Sequence, residues 1–167
     1  MKTENIIITE NIIKYAKKKG EKIGPIDKSI TNGDGNAAGV IGELLVLGVM
    51  GLTMENLKSS ESYDYDIIDN DGIKWDVKTK RRTVDPKPYY NCTVADYNTK
   101  QKCDRYIFVS LRNLEEGFIT GWISKKEFYE KASFANEGDL DPTSPKHKPF
   151  YFTADCYNIE CKYLNKL

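Results

Sequence analysis

Tyr63-Asp-Tyr-Asp-Ile-Ile-Asp-Asn-Asp-Gly-Ile-Lys-Trp-Asp-Val-Lys-Thr-Lys-Arg-Arg82 is the stretch that decides how the chain is laid out. Apolar Tyr65 and Ile67 alternate with Asp64 and Asp66, and Ile73, Trp75 and Val77 alternate with Lys74, Asp76 and Lys78. A period of two marks strands with one buried face, so the two runs predict one β-hairpin. A loop of Asn70-Asp71-Gly72, with Gly72 as its left-handed residue, makes Asp69 face Ile73, Asp66 face Asp76 and Asp64 face Lys78. A two-residue Asp71-Gly72 loop would set Asp66 beside Val77 and mix the faces, so the pattern selects the three-residue loop. One face is then apolar and the other crowds carboxylates with lysines. Carboxylates gathered on one strand face repel each other unless a cation lies between them, and a hard divalent ion with oxygen ligands suits that place.

Upstream, Asn36 is a predicted N-cap after the loop Thr31-Asn-Gly-Asp-Gly-Asn36, for a helix from Ala37 to about Met50. That helix is apolar on every side except at Glu43, which predicts a buried helix and a buried glutamate. An isolated carboxylate there needs a cation, a hydrogen-bond network or a raised pKa. Gly39 and Gly42, on the turn before Glu43, weaken the helix but allow another backbone to come close.

The 167 residues, 40% of them hydrophobic, suit one α/β domain and are too few for two. Lysine plus arginine and aspartate plus glutamate both number 25, so the net charge of zero gives no general attraction to nucleic acid. Any such attraction is local. Met1 to Ile8 lacks the apolar stretch of a secretory leader, so Cys92, Cys103, Cys156 and Cys161 are expected as buried free thiols in a reduced, cytoplasmic setting. The run Ala37 to Leu52 is broken by Glu43 and is too short and glycine-rich for a membrane span.

Elsewhere, residues 9 to 19 predict an amphipathic helix with Ile12, Ile13 and Ala16 inward and Gly20 as its stop. A short strand is expected near Leu52 to Leu57, and Asp85-Pro-Lys-Pro-Tyr-Tyr90 is a loop at the mouth of the sheet. Residues 105 to 111 and 117 to 123 are apolar runs of strand length with a turn from Asn113 to Glu116. Ser124-Lys-Lys-Glu127 is a capping box opening a helix through about Phe134, with Phe128, Tyr129 and Ala132 inward. A loop follows over 135 to 149, and residues 150 to 161 add edge strands.

This order, a helix with a buried glutamate, a strand, and an Asp-bearing hairpin with Asp-Val-Lys on its return, resembles the PD-(D/E)xK nuclease superfamily over roughly residues 36 to 123. Gly39-Val-Ile-Gly-Glu43 matches the family's first-helix glutamate, Asp66 or Asp64 its strand aspartate, and Asp76-Val77-Lys78 its Asp/Glu-x-Lys. No proline precedes the strand aspartate, where Tyr63 or Tyr65 stands, and Gln101 with Tyr106 is the only trace of a glutamine-tyrosine motif.

The resemblance implies a restriction endonuclease-like core, a mixed central β-sheet flanked by helices, and hydrolysis of DNA phosphodiester bonds in restriction, repair or recombination. It makes Glu43, Asp66, Asp76 and Lys78 the expected catalytic residues. Asp66 and Asp76 with Glu43 would hold Mg²⁺, for which Mn²⁺ would substitute, and Asp64 is the second choice of ligand. Lys78 would position or deprotonate the attacking water. Lys80, Arg81 and Arg82, and then Lys100, Lys102 and Arg105, are the expected DNA contacts. The partner is DNA and not a membrane, and the reading allows a homodimer. Two other readings stand beside it: a non-cleaving nucleic-acid-binding module on the same fold, and an interaction protein with an acidic metal-binding hairpin.

Overall fold

A computed structural model describes residues 5–23, 36–58 and 63–167. The predicted loop over residues 31–35 lies outside them. The fold is α/β. The alternating stretch forms β3 (Lys74–Arg82), and β5 (Arg105–Arg112) runs parallel to it, with Trp75 beside Arg105 and Arg82 beside Arg112. Around this pair the sheet is antiparallel: β2 (Ile67–Ile68) flanks β3, while β6 (Glu116–Ser124) and then β1 (Asn5–Ile7) flank β5. The central sheet is therefore mixed, in the order β1-β6-β5-β3-β2. Parallel neighbours need a long crossover. Here it contains β4 (Asn91–Ala95), which joins β8 (Cys156–Glu160) and β7 (Ser133–Ala135) in a second sheet with β8 in the middle.

Side chains of β3 and β5 point alternately to two cores. Trp75, Val77, Ile107 and Val109 pack with Val40, Ile41 and Leu45 of α2 (Asn36–Met50) and Ala16 of α1 (Glu10–Ile23). Tyr106 and Phe108 point the other way and pack with Cys92, Val94, Ile159 and Phe128, the last from α3 (Lys125–Lys131). β5 is buried along almost its whole length on both faces, which is why its sequence is a continuous apolar run.

Helix α2 starts at Asn36, one residue before the expected start, and ends at Met50 as read. Gly20 does not stop α1, which continues to Ile23. Glycine is there for contact between helices: a Cβ on Gly20 would lie 2.9 Å from the backbone nitrogen of Ala37. The expected strand at 52–57 is a 3-10 turn, Met54–Asn56, capped by Thr53, with Leu57 making a single bridge to Ile67. Ser124 caps α3 by accepting from the Glu127 amide, but the helix stops at Lys131 and Ser133–Ala135 is strand. The expected edge strands over 150–161 include β8, which is the centre of its sheet. All four cysteines are free and buried. Among the described residues no helix is long and apolar enough to cross a membrane.

Gly42 and Gly39 have different roles. A Cβ on Gly42 would fall 1.9 Å from Thr79 Oγ1 and 3.1 Å from Thr79 Cβ, whereas one on Gly39 meets nothing within 4 Å. The close approach expected of both belongs to Gly42 alone. Gly42→Ala should therefore destabilise by about 1–3 kcal/mol through overpacking against a short branched side chain. Gly39→Ala should be neutral or stabilising by up to about 1 kcal/mol from helix propensity. Urea unfolding of both variants checks this, and equal stabilities would show that α2 does not rest on Thr79.

Candidate active site

The hairpin turn has the expected three-residue loop. Gly72 adopts φ 81°, and Asp69 organises the turn, its Oδ1 accepting from the amides of Asp71 and Ile73 at 3.0 and 2.9 Å and its Oδ2 from Trp75 Nε1 at 2.8 Å. Ile67 lies opposite Trp75 and Ile68 opposite Lys74, the register in which Asp66 comes next to Asp76. The rising strand is only those two residues. At its end the carboxylate of Asp66 takes the role of a strand carbonyl, Oδ2 accepting from the Val77 amide at 2.7 Å.

Asp76 is 1% exposed, inside the sheet rather than on an open cleft wall. Its Oδ1 is hydrogen-bonded, whereas its Oδ2 has an ion-pair partner but, among the described residues, no hydrogen bond. Gln101 Nε2 donates to Oδ1 at 2.7 Å and also to the Tyr63 carbonyl at 2.8 Å, while Lys78 Nζ lies 2.6 Å from Oδ2. Lys78 Nζ donates further to Gln101 Oε1 at 3.3 Å and sits 6.0 Å from the centroid of the Tyr106 ring. The expected pairing of Lys78 with Asp64 does not form. Alternation ends at Ile67, and Asp64 turns to the surface, where its Oδ2 lies 3.4 Å from Lys102 Nζ.

Glu43 is half-buried rather than enclosed, although Val40, Val46 and Leu47 around it are buried. Burial raises its carboxyl above the ordinary range, the Lys19 ammonium opposes this, and the charge of Asp76 adds to it. Asp66 is driven well above the ordinary carboxylate range by burial first, then by Asp76 and Glu43, against the pull of Lys78 and the Val77 amide. Asp66 and Asp76 thus share the Lys78 ammonium, while Lys19 acts on Glu43. Among the described residues, however, no three His, Cys, Asp or Glu side chains already close to metal-holding distance.

The expected DNA contacts separate by strand parity. Lys80 and Arg82 lie on the Asp76 and Lys78 side of β3, facing the second sheet. Arg82 donates to Ser110 Oγ and to the Asn91 carbonyl, both at 3.1 Å, and lies over the Tyr90 ring. Lys80 is half-buried near Phe150, and desolvation, then Arg82, lowers its pKa. Arg81 points the opposite way and is exposed. Arg105 shares the Trp75 face and is stacked between Trp75 and Trp122 at 5.0 and 4.5 Å, so it does not join Lys80 and Arg82. Lys100 and Lys102 are exposed. Gln101, in the sequence only the trace of a glutamine-tyrosine motif, is not among the expected catalytic residues, since nothing local marks its contacts with Asp76, Lys78 and the Tyr63 carbonyl.

A cleft of about 580 Å³ opens between β3 and the second sheet, and Tyr63 and Lys78 are among its lining residues. No protein-family model matches the chain, and no curated protein matches it either.

A raised carboxyl makes the folded state bind more protons than the unfolded one, so its contribution is destabilising once pH rises above the unfolded value near 4. That penalty grows until pH passes the folded pKa. Asp66→Asn keeps an oxygen for the Val77 amide but removes the charge. It should be more stable than the parent at pH 8 in metal-free buffer, with the gap closing toward pH 4. Thermal melts across that range decide the matter; a constant gap would show that Asp66 is not under this repulsion. Asp64→Asn breaks only a surface pair with Lys102, and should change stability by less than about 1 kcal/mol.

Proposed function

We propose that the chain is a divalent-metal-dependent deoxyribonuclease, with Glu43, Asp66, Asp76 and Lys78 as its catalytic group on a restriction endonuclease-like core. The observation that carries this is the meeting of Asp66 and Asp76 at the end of β2, with Lys78 bound to Asp76 and Glu43 within their field. A mixed sheet with a parallel central pair, a Glu-bearing helix packed on β3, and an Asp-Val-Lys strand support the same reading.

The donor set fits Mg²⁺ or Mn²⁺: oxygen donors only, and an excess of negative charge that raises the pKa of Asp66. Asp66 and Asp76 are the pair that would hold the ion, with Glu43 near enough to shift in charge with them. A bound divalent ion supplies charge neutralisation at the phosphate and acidifies water.

The chain's own residues do the rest. Gln101 and Asp76 hold the Lys78 ammonium from two directions, so its charge is already oriented when negative charge develops on the phosphoryl oxygens. Asp76 keeps that ammonium in place as the strand crosses the buried core. Glu43, whose carboxyl burial raises above the ordinary range, holds its proton more tightly than a free glutamate and so responds to the charge of Asp76 beside it. A binding module needs a positive surface and has no use for a buried lysine–aspartate pair beside two further carboxylates, so that reading is the weaker one.

Incubation with linear, circular, single-stranded and branched DNA, with and without Mg²⁺ or Mn²⁺, tests the proposal; no cleavage of any form would refute it. Asp76→Asn and Lys78→Ala should each lower the rate at least about 100-fold. Lys78→Ala should also destabilise, by about 3–5 kcal/mol, because it leaves a buried carboxylate without its cation. A folded Lys78→Ala protein cutting at the parental rate would remove the lysine from the mechanism.

A further inference from the structure

The cleft above the catalytic group is built as a binding site in its own right. Its floor is the even-numbered face of β3, where Lys78, Lys80 and Arg82 follow one another at every second residue, beside Phe108 and Ser110 of β5. Its roof includes Phe150 and Phe152, whose rings meet edge to face at 5.9 Å. The roof segment is tied to its neighbour: the Asp141 amide donates to the Phe150 carbonyl at 2.8 Å, and the Phe152 amide to the Asp139 carbonyl at 2.9 Å.

Two features of this space ask for an anion. Lys78 is answered by Asp76, but among the described residues neither Lys80 nor Arg82 has a carboxylate within ion-pair distance. The acidic group that acts on Lys80 is buried Asp141, whose Oδ1 already accepts from Asn91 Nδ2 at 3.1 Å and from the Thr143 amide and hydroxyl at 2.8 and 2.7 Å. Arg82 is pinned by Ser110 and the Asn91 carbonyl, so its position is fixed although its charge is unmatched. Side chains two apart on a strand are separated by about 6.6–6.8 Å, comparable with the spacing of successive phosphates on an extended nucleic-acid strand.

Size and lining then choose among nucleic acids. Facing sheets pack about 10 Å apart, which is less than the major groove of a duplex alone, at about 12 Å. The 580 Å³ of the cleft is the volume of a small-ligand site, enough for one or two nucleotides and too little for a double helix. Phe150 is 43% exposed and Tyr97, also lining the cleft, is 49% exposed. Exposed rings beside uncompensated cations are the platform on which unpaired bases stack.

We propose that this cleft receives the end of a single nucleic-acid strand, bases against the exposed ring of Phe150 and phosphates on Lys80 and Arg82, and so delivers single-stranded ends to Asp66, Asp76 and Lys78. The delivery step rests on the nuclease reading above; the binding does not.

Two measurements on the full chain separate them. Fluorescence anisotropy of a labelled short oligothymidylate in EDTA should show binding that a blunt duplex of equal length does not match. Lys80→Gln should weaken it about tenfold and lower the salt slope by about 0.7. Phe150→Ala, at an exposed ring, should weaken it roughly tenfold and serves alone if Lys80→Gln does not fold. With Mg²⁺, a linear single strand should be cut at least tenfold faster than the same strand circularised or in a blunt duplex. Equal cutting of all three, or anisotropy unchanged in both variants, overturns the cleft inference and leaves the nuclease reading intact. Oligothymidylate binding that Phe150→Ala weakens, with no cleavage of any DNA, upholds the cleft as a binding site but overturns the delivery step and the nuclease reading with it.

Discussion

A carboxylate in the interior of a β-sheet is the constraint from which the rest of the site follows. Asp76 is 1% exposed, and an ionised carboxylate in that place is costly unless both oxygens are matched. Gln101 matches one and Lys78 the other, and in doing so they tie the segment entering the hairpin, through the Tyr63 carbonyl, to the segment entering β5. The single ammonium is then already committed when Asp66 arrives one strand away. The excess negative charge falls on Asp66, which responds by holding its proton more tightly. Such crowding weakens the folded state in the absence of a cation, and perturbed groups of this kind concentrate where a protein does chemistry.

β3 divides its side chains between two tasks because alternation leaves no other option. Even-numbered residues carry Asp76 and the cations to the second-sheet side; odd-numbered Trp75, Val77 and Thr79 form the seam with α2. That seam sets where Glu43 lies. Among the described residues Thr79 Oγ1 is buried without a hydrogen-bond partner, a cost of about 1–3 kcal/mol, at the point where Gly42 lets α2 settle against the strand. The helix, and with it Glu43, is set against the sheet by close packing, Gly42 on Thr79 beside Val40, Ile41 and Leu45 on Trp75 and Val77.

What the sequence disclosed was whatever depends on local periodicity. The Asn70-Asp71-Gly72 turn, the register bringing Asp66 to Asp76, helix α2 and the two long strands β5 and β6 all follow from patterns within a few residues. The failures have one cause in common, that distant parts of the chain decide. Gly20 reads as a stop signal until Ala37 of another helix is laid against it. Asp64 continues an alternation on paper, but among the described residues no partner strand runs beside it, and it faces Lys102. β4 has the composition of a strand, Asn-Cys-Thr-Val-Ala, yet its role as part of a second sheet depends on β8, more than sixty residues later. The contacts of Gln101 were hidden for the same reason.

The same distinction governs the basic residues, where counting charges misleads. A net charge of zero conceals a division into cations that are already matched and cations that are not. Arg105 is held between two indole rings, Lys102 faces Asp64, and Lys78 faces Asp76. Among the described residues Lys80 and Arg82 have no carboxylate at ion-pair distance, only aromatic and neutral polar contacts and the more distant, already bonded Asp141. Their charges lie in a cleft with low-dielectric walls, which concentrates the field instead of letting solvent disperse it. The desolvation that lowers the Lys80 pKa is the cost of that arrangement, and an anion entering the cleft offsets it. A phosphate there gains more than it would from the same two cations on an open surface, so a protein without net positive charge can still hold a polyanion beside its carboxylates.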